Sequence, residues 1–306
     1  MTADFSGFVG IDWSGARGPR QPGIQLAEAL PGHDAPQTIP AEDARHWGRV
    51  AVYDWLIRRA ATADSSAAGP VLVGIDFAFA HPFADVGAFY PGLAGSPTDA
   101  AALWGFVEQR CQHDPHLYGG AMFAASDVGD YYLSPGNHGA PDYQSRRRQT
   151  ELAARASARA PSPTFKAIGA DNVATGSMAG MRLIHALKAA LGPSLAVWPF
   201  DRVDGAELSR LAMVLVEIFP SYYFYRVGMN PAKQAAADPA FMSAALASYD
   251  SAGVGVYFAP RGSDADEADA IISAAALRWF AGQVGCWDAG DAAPVEGWIF
   301  GVPPVT

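Results

Sequence analysis

Five carboxylates have the residue type and spacing that chemistry requires. Asp12 ends the run Phe8-Val9-Gly10-Ile11, Asp76 ends Val71-Leu72-Val73-Gly74-Ile75, and Glu217 interrupts Met213-Val214-Leu215-Val216-Glu217-Ile218-Phe219. Asp266 and Asp269 stand three residues apart in a helix-forming stretch, and so share one helix face. An ionised carboxylate loses its hydration on burial and needs a cation, a cage of hydrogen bonds or a metal in exchange. Like charges a few ångströms apart repel unless a cation lies between them. Together the five acids predict one site of hard oxygen donors suited to Mg²⁺ or Mn²⁺. Two such ions about 4 Å apart clamp a phosphodiester, one activating the attacking water and the other stabilising the leaving oxygen, with no protein nucleophile. Asp12, after the first central strand, is then the shared ligand. Asp76, Glu217 and Asp269 each complete a coordination shell, with Asp266 as a neighbouring ligand. Each acid also has a plainer structural reading. Asp12 and Asp76 suit aspartates that fix turns, Asp266 suits a capping box opened by Ser263, and Glu217 would face solvent on an edge strand.

The runs carrying the acids are short, β-branched and bounded by Gly or Pro, as strands buried on both faces are. The turn-rich Ser14 to Gly23 joins the first strand to Ile24–Leu30 as a hairpin, and a third strand lies near Gln37–Ile39. Ala41–Ala63 is helical, with Trp47, Ala51 and Trp55 as its apolar stripe. A helix at Met178–Leu191 presents Met181, Ile184, Leu187 and Leu191 and stops at Gly192-Pro193. A strand follows at Leu195–Trp198, and Val254–Phe258 is a further strand or an extended link. The last helix runs from near Ser263 to about Ala281, with Ile272, Ala276 and Phe280 facing inward. These elements predict an α/β fold whose mixed sheet begins as an antiparallel meander, continues with parallel strands and is flanked by helices. Residues 80–163, rich in Gly, Pro, His and Tyr, form an insertion or cap.

The 306 residues, half of them hydrophobic, suit one large domain. No apolar run reaches the ~20 residues of a membrane helix, and the N-terminus lacks a basic region before an apolar stretch, so the expected setting is cytoplasmic with no membrane partner. Cys111 and Cys286 are too few for a disulfide scaffold. A formal net charge of -10 argues against a surface that grips nucleic acid along its length. A local basic strip is compatible with it. Arg146, Arg147, Arg148, Arg155 and Arg159 form the densest positive segment and, with Lys166 and Arg182, are the candidates for phosphate contact; the alternative is a solvated helix face. Cys111-x-His113-x-x-His116 has donors suited to zinc but no second Cys pair. His185 reads as a partly buried helical histidine, and Gly10-x-x-x-x-Gly15 lacks the Lys-Ser/Thr of a phosphate loop.

Gly-Ile-Asp-Trp-Ser-Gly at 10–15, Val-Gly-Ile-Asp-Phe-Ala at 73–78, Phe165-Lys166-Ala167-Ile168-Gly169, Val216-Glu217-Ile218-Phe219-Pro220, Asp266-x-x-Asp269-Ala270 and Glu296-Gly297-Trp298-Ile299 together resemble the family catalogued as domain of unknown function 429. The resemblance implies a single ribonuclease H-like domain over residues 1–306 and a predicted nuclease activity, with acids arranged as in RuvC-type junction resolvases. It matches Asp12 to the first-strand acid, Asp76 or Glu217 to the middle acids, and Asp269, with Asp266 beside it, to the helix acid. The expected partner is nucleic acid, DNA or RNA. Two other classes stand beside this reading. One is an ATP-binding phosphotransferase of the sugar-kinase, actin and heat-shock ATPase group, which also begins with a strand, an Asp and a glycine turn. The other is a catalytically silent binding protein.

Overall fold

Runs of Val, Ile and Leu form the centre of a six-stranded mixed sheet in the computed structural model of the chain, which describes residues 5–42, 44–64, 69–169, 172–260 and 266–304. Strands β1 (Gly7–Asp12), β2 (Gln25–Ala29) and β3 (Gln37–Ile39) make the antiparallel meander, and β4 (Val71–Ile75), β5 (Leu195–Val197) and β6 (Met213–Glu217) complete a parallel half in the order β3-β2-β1-β4-β6-β5. The helices are α1 (Arg49–Asp64), α2 (Ala100–Cys111), α3 (Gln149–Ser157), α4 (Ala174–Leu191), the short α5 (Gly205–Leu208), α6 (Pro220–Arg226), the short α7 (Lys233–Ala236), α8 (Pro239–Ala247), α9 (Asp266–Ala281) and the short α10 (Ala293–Glu296). Among the described residues no helix is long and apolar enough to cross a membrane.

Strands β1, β4 and β6 are buried along their whole length, as central parallel strands covered on both faces must be. Their side chains alternate between two cores. Val9, Ile11, Val73, Ile75, Met213 and Leu215 pack with α1, α2 and α4. Phe8, Leu72, Val214 and Val216 pack with α6, α8 and α9.

Several expectations shift. The inward line of α1 is Val52, Leu56 and Ala60, whereas Trp47 precedes the helix and Trp55 is half-buried. Both lines have four-residue spacing, and tertiary packing selects the one with the smaller side chains. Val254–Phe258 forms no strand, and Tyr257 is exposed. Ser263 lies outside the described residues, so the capping box has no structural account. Residues 80–163 hold α2, α3 and three 3-10 turns, and their Phe89, Tyr90, Trp104 and Tyr132 share one apolar cluster with Val9, Ile11, Val73 and Ile75.

Glycine sets how closely α9 approaches the sheet. Gly10 and Gly74 are register partners in neighbouring strands. A Cβ at Gly10 would meet the Ala270 carbonyl and stand 2.8 Å from the Ala274 nitrogen; one at Gly74 would run into Ile218 and stand 2.9 Å from Leu277. Gly10→Ala should therefore destabilise the protein by ~1–3 kcal/mol, since backbone cannot yield as a flexible side chain can. Gly136→Ala, where a Cβ meets nothing within 4 Å, should stay within about 0.5 kcal/mol of wild type. Urea denaturation measures both, and equal losses would mean that helix contact is not the constraint.

Candidate active site

Asp12 closes β1, and Asp76 follows β4 directly, its N–H donating to the Ile11 carbonyl at 3.0 Å. By strand alternation both fall on the α9 side, in step with Phe8 and Gly10 and with Leu72 and Gly74. Asp266 and Asp269 lie in the first turn of α9, which crosses that face. The four carboxylates form one electrostatic group. Asp12 is held well above the usual carboxylate range by burial, then by the charges of Asp269, Asp76 and Asp266, against a small opposing contribution from the Trp13 backbone. Asp269 is raised by burial and then by Asp76 and Asp266. Asp76 is pushed up to about 7 by burial and then by Glu217. Among the described residues, no ion pair joins Asp12, Asp76 or Asp269 to a basic side chain. Nor do any three His, Cys, Asp or Glu side chains there already stand as a chelating group.

Glu217 differs from the other acids. It continues the alternation of Met213 and Leu215, which face the other core, and both of its oxygens are taken. Arg148 donates from Nη1 to Oε2 at 2.7 Å and from Nη2 to Oε1 at 2.5 Å, and Oε2 also accepts the Phe79 N–H at 3.0 Å. Such a bidentate, charge-assisted pair is among the stronger hydrogen-bonded contacts a carboxylate makes. Arg148 also donates from Nε to Glu151 Oε1 at 2.9 Å and from Nη1 to the Glu296 carbonyl at 3.2 Å. Glu217, expected as a metal ligand, is instead the partner of a buried arginine.

A cleft of about 800 Å³ opens beside the acids, with Asp76, Glu217, Arg148 and Glu151 in its wall and Arg17, Arg147 and Arg159 also lining it. The three arginines read as substrate contacts separate. Arg146 turns away from the cleft to Asp85 (Nε–Oδ2 2.8 Å) and to the carbonyls of Pro82, Ala88 and Phe89. Arg148 is consumed by Glu217 and Glu151. Arg147 is half-buried in the cleft wall, with Nη1 on the Pro161 carbonyl at 2.6 Å. Lys166 is not among the residues lining the cleft; its carbonyl accepts from Val173 and Ala174 at the start of α4.

The lesser candidates disperse. Cys111 is buried, its thiol pushed up to about 11 by burial, while His113 and His116 are exposed, so the three make no zinc site. Arg182 is paired with Glu108 at 2.7 Å, and His185 is exposed rather than partly buried. Sequence reasoning missed Glu151, although its i,i+3 spacing from Arg148 was the available signal.

No family model, curated protein or solved structure matches the chain.

The crowded acids set a direction for pH dependence. Asp12, Asp76 and Asp269 have folded pKa values above the unfolded value of about 3.9, so the folded state binds more protons than the unfolded one. Their contribution to stability is fully present below the unfolded value and is lost as pH rises, for Asp76 through about 7. In chelator, the melting temperature should fall between about pH 5 and 8, and Asp76→Asn should flatten the fall and melt higher than wild type at about pH 8. Parallel slopes in calorimetry would contradict the mutual repulsion.

Proposed function

We propose that this chain is a cytoplasmic, metal-dependent nuclease of ribonuclease H-like fold, hydrolysing phosphodiester bonds of DNA or RNA. The observation that carries the reading is the crowding of Asp12, Asp76, Asp266 and Asp269 at the ends of β1 and β4, beside a cleft lined by arginines. The meander followed by parallel strands supports the same reading, as does the resemblance carried by the acid-bearing motifs.

The donor chemistry fits a hard divalent cation. Asp12, Asp76 and Asp269, with Asp266, would hold Mg²⁺ or Mn²⁺, whose charge would offset their mutual repulsion. When bound, the metal supplies the positive charge that acidifies a water and stabilises charge developing on the phosphate. Glu217 leaves the ligand set and fixes the wall of the cleft through Arg148. Arg147 and Arg159 offer guanidinium groups to the phosphates flanking the scissile bond. Arg159 is held for this by Tyr225, whose hydroxyl accepts from Nη1 at 2.8 Å and whose ring lies 4.7 Å from the guanidinium carbon. Arg17 stands 5.9 Å from the ring of Tyr118, which also lines the cleft.

Purified protein tested on single-stranded, duplex and branched DNA and RNA should cleave with Mg²⁺ or Mn²⁺ and not with chelator. Asp12→Asn, which keeps the size and removes the charge, should lower cleavage by ~10³-fold or more while leaving the fold and most nucleic-acid binding intact. ATP binding with no cleavage of any substrate would overturn the reading in favour of a phosphotransferase. Millimolar Mn²⁺ should also raise the melting temperature, and Asp12→Asn or Asp269→Asn should abolish most of that gain. Replacing Arg147 and Arg159 with Ala should weaken nucleic-acid binding and reduce its salt slope by ~1 for each phosphate that is no longer neutralised. Arg146→Ala should lower stability and leave that slope unchanged.

A further inference from the structure

We infer that Tyr118 and Arg17 seat one unpaired nucleotide, its base on the Tyr118 ring and its phosphate on the Arg17 guanidinium, so that the cleft takes single-stranded nucleic acid in preference to duplex. That nucleic acid enters the cleft rests on the nuclease reading; the seat itself rests on the geometry of two loops.

The cleft lies across the ends of three neighbouring strands, with Trp13–Arg17 beyond β1, Asp76–Ala78 beyond β4 and Glu217–Phe219 beyond β6. β4 is the middle one. Arg17 and Tyr118 therefore stand on one side of Asp76, and Arg147, next to the Arg148 that holds Glu217, stands on the other. Neighbouring strands are ~4.8 Å apart, so the span from β1 to β6 is about 10 Å, the reach of a short piece of one strand.

Tyr118 is half-buried and contributes to the cleft wall. Trp13 and Phe77, which also line the cleft, pack on each other with ring centroids 5.8 Å apart. Among the described residues no aromatic ring packs on Tyr118. The cation beside it is Arg17, exposed, 5.9 Å from the ring centroid and without a described carboxylate at ion-pair distance. That separation is near the ~6 Å limit of a cation–π contact, so the guanidinium is not committed to the ring.

Both residues are held from behind by one buried guanidinium. Arg49 donates from Nη1 to the carbonyls of Ser14 at 3.0 Å and Ala16 at 2.9 Å, and from Nε to the His116 carbonyl at 2.8 Å. It thus ties the loop of Arg17 to the loop of Tyr118. Arg182 adds a bond from Nη1 to the Tyr118 carbonyl at 2.5 Å, and Gly120 backs the ring, since a Cβ there would stand 2.1 Å from Cε1. His116 and Leu117 have φ of 57° and 55°. Such left-handed backbone is uncommon outside glycine and persists where the surroundings over-determine it.

A ring and an uncommitted guanidinium side by side match a nucleotide. Every base has a π-face that stacks on an aromatic side chain, and the planar fork of arginine fits phosphate. In a duplex each base is already covered by its neighbours, and stacking on Tyr118 requires taking it out first. Duplex binding also draws on roughly 6–10 phosphate contacts, whereas this acidic chain lines its cleft with Arg17, Arg147 and Arg159.

Binding of a short single strand and of its duplex to the Asp12→Asn protein with Mg²⁺, read by fluorescence anisotropy, tests the seat without cleavage. The single strand should bind ~10-fold or more tightly than the duplex. Tyr118→Leu, which keeps apolar bulk without a π-face, should weaken single-strand binding by ~10-fold and leave duplex binding unchanged. Tyr118→Phe should restore most of that loss. A 2-aminopurine placed along the strand should be quenched at one position, and Tyr118→Leu should abolish the quench. Arg17→Ala, at an exposed residue and so without risk to the fold, should lower the salt slope by ~1, which the Tyr118 variants leave alone. Equal affinity for the two forms, a Leu variant as tight as the Phe variant, or binding of neither form would overturn the inference. A single strand bound through Tyr118 by wild type that cleaves nothing would sink the nuclease reading and uphold the seat. Equal cleavage of both forms, with Tyr118→Leu as active as wild type, would do the reverse.

Discussion

The site depends on how closely α9 lies against β1 and β4. Two glycines at the same level of neighbouring strands remove the side chains that would hold a helix away, and the backbone of Ala270 and Ala274 settles against Gly10. Two residues beyond Gly10 and Gly74, on the same face, come Asp12 and Asp76. The groove that admits the helix therefore also aims two strand acids at its first turn, where Asp269 precedes the contact residue Ala270. Repulsion among the acids works against this docking, and burial of Ile271, Ile272, Ala275 and Leu277 along the same helix holds it. Stability and site geometry are thus set by one contact, and a change at Gly10 acts on both.

A second constraint runs through Arg148. Its guanidinium ties the end of β6 through Glu217, the first turn of α3 through Glu151 and the C-terminal segment through the Glu296 carbonyl. Glu296 completes the clasp by taking the amides of Phe83, Ala84 and Gln149 on its carboxylate. Residues 80–163 are thereby fastened to the sheet at the end where the acids lie. Removing one member of such a buried pair costs ~3–5 kcal/mol because the charge left behind has no water to turn to. The clasp therefore fixes the wall of the cleft more firmly than apolar packing of loops would.

How much of this was legible in the sequence follows from which signals are periodic. The strands bearing Asp12, Asp76 and Glu217 were readable because a short β-branched run ended by Gly or Pro admits few structures. The placing of Asp269 on the helix face turned to the sheet was readable from the 3.6-residue period. The fates of Arg146, Arg147 and Arg148 were not. These residues lie in extended chain just before α3, where successive side chains point to opposite sides, so Arg146 and Arg148 go inward and Arg147 faces the cleft. A run of like charges hides that alternation, since nothing local says which side holds Asp85 and Glu217, 61 and 69 residues away. The partner of Glu217 was hidden for the same reason. The strand of Glu217 was clear, but the cation that neutralises it comes from a distant segment.

The cleft meets its excess negative charge in two ways, and the difference separates the roles of its carboxylates. At Glu217 and Glu151 the compensating cations are built in: Arg148 donates to both acids, and Arg147 Nη1 stands 3.9 Å from Glu151 Oε2. At Asp12, Asp76 and Asp269 no basic partner is present among the described residues, and burial together with neighbouring carboxylates raises the pKa of each. On the nuclease reading, a divalent cation would be held by the aspartates, which have no built-in cation, and not by the two glutamates, which have arginines beside them. Arginines placed beside one group of acids and withheld from the other separate the two.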